Sequence, residues 1–230
     1  MAGTLALFDL DLTLIPFDSG MAWTQFLVDE GALPESATGD YLACCQRYVD
    51  GALDIHDLHR ASVAPLAKFP RALLDQWGRE FEMQMAGRVP ASMRALVNRH
   101  LEAGDICAIV TATTRFIAEP FARLFEVDHL VATEPATVDG SPLGALTGEI
   151  AGLPCFREHK VTRVGQWLSE CQPPLVEGLA GFERSWFYTD SSNDLPLLEA
   201  VTHPVVVHPD ERLRDRAMRE GWPVFELRDS

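Results

Sequence analysis

Short apolar runs alternate with segments of helical spacing along most of this chain. The runs fall at residues 5–8, 106–110, 186–188 and 205–207. Continuous apolar runs of this length are typical of parallel strands that are buried on both faces, because helices cover both sides of the sheet. The pattern therefore predicts an α/β fold whose core is a doubly wound, Rossmann-like parallel sheet.

About a hundred residues separate the first run from the second, and they show only helical spacing. Leu73, Trp77, Phe81 and Met85, for example, recur at intervals of four, as they do on one face of a helix. Turn-forming glycines and prolines divide the segment into several short helices. The sheet is therefore interrupted by a long helical insertion.

The insertion sets the predicted domain organisation. We expect residues 14–88 to form an all-helical cap domain, and residues 1–13 and 89–230 to form the α/β core. Because the insertion leaves the sheet at the carboxyl end of a strand, where open α/β sheets bind ligands, the cap is a natural lid. Glycines and prolines between residues 133 and 154 predict a further short β-hairpin, or flap.

Acidic residues outnumber basic ones, with 34 Asp and Glu against 19 Lys and Arg, a formal net charge of −15. This balance argues against a nucleic-acid partner, because phosphate backbones favour positively charged proteins. No apolar stretch approaches the roughly 20 residues of a transmembrane helix, so we expect no membrane partner either. Five cysteines without a C-x-x-C pair favour a reduced, cytoplasmic location. The oligomeric state is left open.

Two carboxylates follow the first apolar run directly. Asp9 and Asp11 are two residues apart, so on an extended chain both lean toward the same side. At roughly 4 Å and an effective dielectric near 20 their repulsion is about 4 kcal/mol, which a proton, a cation or a base must relieve. The alternative is a pair of capping aspartates in an ordinary strand-to-helix loop.

Three further signals come at the carboxyl ends of predicted strands or at a helix start. Thr111 lies among small hydroxyl residues before a helix, an arrangement that commonly holds a phosphate. Lys160 lies in the first turn of a predicted helix, where a cation is poorly placed unless an anion is near. Asp190 and Asp194 follow another strand. Each has an ordinary reading as a cap, turn or surface residue, but together they predict one shared cleft.

The order Asp9-x-Asp11-x-Thr13, Thr111, Lys160 and Asp190-x-x-x-Asp194 resembles the haloacid dehalogenase superfamily of phosphatases. Within it, the chain is similar to the phosphoserine-phosphatase-like subfamily with a helical cap. The resemblance implies that Asp9 is a nucleophile that becomes an aspartyl-phosphate and that Asp11 is the general acid and then base.

The same resemblance implies the remaining roles in the core. The phosphoryl oxygens would be held by Thr111 and neighbouring amides such as that of Ala112, with Asn193 as a further phosphate contact and Lys160 bridging the phosphate and the nucleophile. Mg²⁺ would be ligated by Asp9, the backbone carbonyl of Asp11 and Asp190, with Asp194 acting through water. Crowded carboxylates suit a hard, oxygen-binding cation.

Candidate substrate contacts lie in the cap. Asp18 matches an acidic residue that contacts the substrate amino group in phosphoserine phosphatases, but it is equally suited to be the N-cap of the next helix. Arg60, with Arg47 as an alternative, is the candidate clamp for a substrate carboxylate. His56 and His59 share a helix face without a third metal ligand nearby, which indicates a partly exposed cap surface.

The sequence thus favours a Mg²⁺-dependent phosphomonoesterase for a small phosphorylated metabolite, acting through an aspartyl-phosphate. The substrate would be phosphoserine or a similar amine-bearing phosphate, with histidinol phosphate or another small metabolite as the alternative. A different class of function, a receiver-like phosphorylatable signalling module, also uses an acceptor aspartate, Mg²⁺ and a lysine. A catalytically silent scaffold for a phosphorylated ligand is the third hypothesis. Asp11 and the cap favour the enzyme.

Overall fold

A six-stranded parallel sheet forms the centre of the computed structural model, which describes residues 3–171 and 178–225. Its strand order is β3-β2-β1-β6-β7-β8. The strands are β1 (Thr4–Phe8), β2 (Ile106–Thr114), β3 (His129–Thr133), β6 (Arg184–Thr189), β7 (His203–Val207) and β8 (Val224–Phe225). A separate antiparallel hairpin comprises β4 (Pro135–Thr137) and β5 (Leu146–Ile150).

Helices cover both faces of the sheet, as the apolar runs require. Residues of α5 (Ala91–Glu102) and α6 (Arg115–Leu124) pack on one face, and residues of α7 (Glu158–Glu170), α8 (Leu195–Ala200) and α9 (Glu211–Glu220) pack on the other. The segment between β1 and α5 forms α1 (Ser19–Asp29), α2 (Ala37–Val49), α3 (Ile55–Val63) and α4 (Arg71–Met85). Within the described ranges, no helix has the length and apolar character needed to cross a membrane. The predicted doubly wound α/β fold is confirmed.

Strand β1 shows how alternation builds two cores on one sheet. Ala6 and Phe8 pack into the apolar cluster on the side of α5 and α6, whereas Leu5 and Leu7 pack into the cluster on the side of α7 and α8. All four side chains are fully buried. Because successive residues face opposite sides, a strand buried on both faces must be continuously apolar.

The helices between β1 and α5 pack around aromatic side chains. Trp23 on α1 meets Phe26 and Phe81 with ring centroids 5.4 and 5.2 Å apart, and Phe81 on α4 reaches Phe121 of the core helix α6 at 5.7 Å. Aromatic pairs at these separations stabilise packing beyond their buried area. The helical character of this segment agrees with the sequence pattern, while the domain boundaries at 14 and 88 stay a prediction.

The β4–β5 hairpin is the predicted flap, and it packs on the cap helix α3. Gly148 has φ +90° and approaches the 3₁₀ turn after α3, so that a Cβ there would lie 2.8 Å from the Ala64 Cβ. Arg60 on α3 donates two hydrogen bonds to the Glu149 carboxylate, at 2.7 and 2.9 Å. The flap and α3 are therefore held together by close backbone approach and by an ion pair.

Candidate active site

A cleft of about 310 Å³ opens where the carboxyl ends of β1, β2 and β6 meet the cap helices. Its core side is lined by Asp9, Asp11, Thr111, Ala112, Lys160, Asp190, Asn193 and Asp194. The carboxyl ends of adjacent parallel strands share one edge of the sheet, which is why residues remote in sequence meet here. A volume of this size suits a small metabolite.

A buried lysine links two of the predicted aspartates. Lys160 Nζ donates to Asp9 Oδ1 at 3.0 Å and to Asp194 Oδ2 at 2.7 Å. The lysine is 2% exposed. Burial favours the neutral amine, but the charges of Asp194 and Asp9 outweigh it and raise the pKa of Lys160 above its usual value. The cleft therefore holds a fixed positive charge beside the predicted nucleophile.

The elements that carry Lys160 and Thr111 differ in part from those expected at the ends of strands. Lys160 comes from the first turn of α7, as predicted, but α7 follows the flap and not a strand of the main sheet. Thr111 likewise lies inside β2, which continues to Thr114, so it does not end its strand. It is 1% exposed, and its Oγ1 accepts a hydrogen bond from Thr113 N at 3.1 Å.

Asp11 is held at both carboxylate oxygens. Ser19 N donates to Oδ1 and the Thr113 hydroxyl donates to Oδ2, each at 2.6 Å. Burial, assisted by the charge of Asp18, outweighs these hydrogen bonds and raises the pKa of Asp11 to about 6. A carboxyl group with this pKa can both give and take a proton near neutral pH. Sequence analysis missed Thr113, although the period of two along a strand places it on the face of Thr111.

Asp190 and Thr13 form a reciprocal pair. Thr13 Oγ1 donates to Asp190 Oδ1 at 3.1 Å and accepts from Asp190 N at 3.0 Å. Burial is the main reason that the pKa of Asp190 is raised to about 7. Asp194 uses one oxygen for two contacts: its Oδ2 accepts from Lys160 Nζ and from Thr189 Oγ1, both at 2.7 Å.

The chain matches a known family of hydrolases that includes phosphatases. The model of the haloacid dehalogenase-like hydrolase family matches residues 6–199. The chain belongs to this family. The histidinol-phosphatase of Neisseria meningitidis serogroup C is 38% identical over 226 residues, covering 97% of this chain and 99% of that protein. The chain is thus a phosphatase, which confirms the predicted enzyme class and argues against the signalling module and the silent scaffold.

Two solved structures show the same fold. A protein of unknown function from Bordetella pertussis Tohama I superposes with a TM-score of 0.87 at 40% identity, covering 98% of this chain and 99% of that chain. A phosphoserine phosphatase, determined as an analogue of its phospho-aspartyl intermediate, superposes with a TM-score of 0.64 at 16% identity, covering 100% of this chain and 96% of that chain. The second likeness concerns the fold alone.

The donor chemistry of this haloacid dehalogenase-like hydrolase fits a magnesium ion. In the described ranges no three His, Cys, Asp or Glu side chains converge as a complete metal cage. Mg²⁺ does not need one, because it is commonly held by one or two carboxylates and keeps several waters. Burial and the neighbouring Asp194 and Asp190 raise the pKa of Asp9, against the opposing charge of Lys160. A cation beside Asp9 and Asp190 would relieve this repulsion.

The structure shows one of the two roles that the sequence left open for Asp18. Its Oδ1 accepts from Met21 N at 2.7 Å, which makes it the N-cap of α1, and from the Tyr41 hydroxyl at 2.9 Å. Asp18 and Tyr41 also line the cleft. The capping role is therefore observed, and the carboxylate is near enough to the cleft to remain a candidate substrate contact.

The structure does not bring the predicted carboxylate clamps together with the other site residues. Arg60 is paired with Glu149 and, at 3.1 Å, with Asp57, and its side chain is 47% exposed. Neither Arg60 nor Arg47 lines the cleft, where Lys160 is the one cationic side chain among the described lining residues. The flap residue Glu149 pairs with Arg60 outside the cleft.

The rim of the cleft carries a further arginine that sequence analysis did not single out. Arg157 is exposed, stacks on the Phe156 ring at 4.9 Å and donates from Nε to Asn193 Oδ1 at 3.2 Å. It stands beside the predicted phosphate contact, but it is not part of the cleft wall.

His59 was expected on a partly exposed surface, and this interpretation is wrong. The residue is 7% exposed and lines the cap side of the cleft. His56, on the same helix, is exposed. His56 and His59 thus lie in different surroundings. The i and i+3 spacing places them near each other on α3, but it does not say what each side chain meets.

Proposed function

We propose that this phosphatase is a Mg²⁺-dependent phosphomonoesterase that transfers the phosphoryl group of a small metabolite to Asp9. One observation carries the proposal: Lys160 Nζ lies 3.0 Å from Asp9 Oδ1 in a cleft that also contains Asp11, whose pKa is about 6. Nucleophile, fixed cation and proton carrier therefore occur together. The cleft volume of about 310 Å³ supports a small substrate.

In the first step, an Asp9 carboxylate oxygen forms a bond to phosphorus while the bond from phosphorus to the leaving oxygen breaks. Lys160 occupies Oδ1, which makes Oδ2 the attacking oxygen. Asp11 gives its proton to the leaving oxygen, so the product leaves as a neutral alcohol. Thr111 and the amide of Ala112 bind the phosphoryl oxygens and hold phosphorus in line with Asp9.

In the second step, Asp11 acts as a base. It takes a proton from water, the water oxygen bonds to phosphorus, and the bond from phosphorus to Asp9 breaks, which releases inorganic phosphate and restores both carboxyl groups. Asp9, Asp190 and the Asp11 carbonyl would hold Mg²⁺, which would neutralise charge on the phosphoryl oxygens. Asp194 keeps Lys160 in place for both steps, through the 2.7 Å hydrogen bond.

The charge of the cleft favours an amine-bearing substrate that lacks a carboxylate. Asp18 can attract an ammonium group, whereas a carboxylate finds no arginine in the described cleft wall and faces Asp11 and Asp18. This combination favours a phosphorylated amino alcohol such as histidinol phosphate over phosphoserine. The 38% identity with the Neisseria meningitidis histidinol-phosphatase supports the same choice.

Phosphate release measured with and without Mg²⁺ tests the proposal. We expect histidinol phosphate to be hydrolysed with a higher kcat/KM than phosphoserine, and Asp9→Asn to abolish turnover of both. If kcat/KM is equal for the two substrates or higher for phosphoserine, the proposed substrate is wrong, and Arg157 at the rim becomes the candidate contact for a carboxylate. Near wild-type turnover by Asp9→Asn would exclude the covalent route.

The five cysteines, all unpaired, support a cytoplasmic location as part of this proposal.

A further inference from the structure

The cleft contains polar atoms without partners in the described part of the chain, two on cap helices and one at the end of the core strand β2. Tyr48 Oη, His59 Nε2 and Thr114 Oγ1 are buried and make no hydrogen bond within the described residues. All three residues line the cleft. They come from three different elements, α2, α3 and the end of β2, so no single local distortion explains them.

Such atoms are costly unless a partner arrives. A buried polar atom without a hydrogen bond typically destabilises a protein by about 1 to 3 kcal/mol. Native structures contain few of them, and each is explained by strain, by a water or ion, or by a bound ligand. Three such atoms around one cleft favour a ligand. The phosphoryl side of the cleft differs, because Asp9, Asp11 and Lys160 are all hydrogen-bonded there.

The three groups are uncharged near neutral pH. Burial raises the pKa of the Tyr48 phenol to about 12 and lowers the pKa of His59 to about 4. The threonine hydroxyl is neutral in any case. This wall therefore offers hydrogen bonds without charge, which suits neither a carboxylate nor a second phosphate.

The surroundings select a flat, largely apolar partner. Ile55, Leu58 and Val63 line the same side of the cleft. The rings of Tyr48 and Phe156 lie 5.9 Å apart at an angle of 60° and form an aromatic corner beside it. A sugar or a polyol has too few apolar faces for this wall, whereas an azole ring combines two apolar faces with nitrogens that donate and accept.

We propose that Tyr48, His59 and Thr114 form a leaving-group subsite that binds a heteroaromatic ring by hydrogen bonds to its nitrogen atoms. The inference rests on the proposed function, because it places the phosphoryl group at Asp9 and the ring at the cap. It assigns the choice of substrate to three polar atoms that have no hydrogen-bond partner among the described residues. Alcohols without such a ring leave the three atoms unpaired.

Binding measured without turnover tests the subsite separately from the reaction. In an Asp9→Asn background, calorimetry gives the Kd of histidinol phosphate and of phosphoethanolamine, which shares the phosphate and the amine but has no ring. Tyr48→Phe and Thr114→Val, which remove one polar atom each, should weaken histidinol phosphate by about 3- to 10-fold, as expected for one lost hydrogen bond. Phosphoethanolamine binding should stay within about twofold. His59→Phe should also weaken histidinol phosphate more than phosphoethanolamine, but it removes both ring nitrogens and is therefore a less exact match.

Ser62→Ala is the matched control. Ser62 lies on the same helix as His59, but its hydroxyl already donates to Leu58 O at 3.0 Å, so the ratio of the two dissociation constants should not change. Melting of the ligand-free protein gives a second readout. Removing an unpartnered atom should leave the Tm of Tyr48→Phe and Thr114→Val equal to or above that of the parent.

Each outcome decides between a subsite and a structural role. Equal weakening of both phosphates, no weakening of either, or a lowered ligand-free Tm with uniform losses would overturn the subsite. Absence of phosphate release by the wild-type protein would instead overturn the proposed function. The ratio of dissociation constants supports or overturns the subsite in either case.

Discussion

The Thr113 hydroxyl donates to Asp11 Oδ2 at 2.6 Å, from the end of β2 to the loop after β1. Ser19 N, in the first turn of the cap helix α1, holds the other oxygen at the same distance. The proposed general acid is therefore fixed jointly by the core and by the root of the cap. Its orientation depends on both parts of the chain being in place.

Replacing Thr113 should disturb the acid without disturbing the nucleophile. Thr113→Val keeps the shape but loses the hydroxyl, and we expect kcat for alkyl phosphates to fall about 10- to 100-fold, because a small misplacement of a reacting group is costly. Thr113→Ser restores the donor and should recover most of the rate. Steady-state kinetics of both variants provide the check, and equal rates for valine and serine would remove Thr113 from the mechanism.

Asp11→Asn should slow the reaction according to the leaving group. The amide cannot supply a proton, so turnover of alkyl phosphates should fall by about 10² to 10⁴-fold. Nitrophenyl phosphate needs less help, because nitrophenolate leaves readily without protonation. A plot of rate against leaving-group pKa measures this difference, and an equal loss for both classes would count against Asp11 as the acid.

Lys160→Met should remove both stability and activity. The change leaves the buried carboxylates of Asp9 and Asp194 without their cation, and breaking a buried pair in this way costs about 3 to 5 kcal/mol. Denaturant unfolding measures the loss. Adding Asp194→Asn removes one of the stranded charges and should recover part of the stability but none of the activity. A single variant with unchanged stability and unchanged kinetics would place Lys160 outside the site.

The metal-free protein should become less stable as the pH rises. The pKa values of Asp11 and Asp190 are raised to about 6 and about 7, so the folded state binds more protons than the unfolded state around pH 4 to 7. Stability is then greatest at the acid end of this window and is lost as the pH passes these pKa values. We expect Tm in a chelator to fall as the pH rises from about 4 to about 7.

Magnesium provides the control for this pH dependence. A divalent cation replaces the protons, so Mg²⁺ should raise Tm most at the alkaline end and flatten the profile. Asp190→Asn should also flatten it and should raise the Mg²⁺ concentration needed for activity. A profile that is flat without metal would mean that these carboxyl groups are already ionised in the folded protein.

Asp18→Asn separates a substrate contact from a helix cap. If Asp18 binds a substrate ammonium, KM for amine-bearing phosphates should rise by the equivalent of about 1.5 to 3 kcal/mol, while nitrophenyl phosphate is unaffected. Asparagine caps helices nearly as well as aspartate, so capping alone predicts a small and uniform change. Kinetics with the two substrate types decide, and a uniform effect would withdraw the amine from the proposed substrate.

The sequence by itself determined the fold class and the core of the candidate site. Buried parallel strands must be continuously apolar, and their carboxyl ends must meet at one edge, so the residues that follow each strand are brought together by topology alone. Asp9, Asp11 and Asp190 follow strands in this way, and the spacing of α7 gave the place of Lys160 in its first turn. Local pattern was sufficient for these residues.

Only the tertiary structure decided the cap side of the cleft. Arg60 pairs with Glu149, 89 residues away. His59 is buried on α3, the helix that packs against the flap strand β5. Helical spacing states which residues share a face, but it does not state what that face meets. Contacts between distant elements depend on how two packed surfaces fit, and no periodicity within either element encodes that fit.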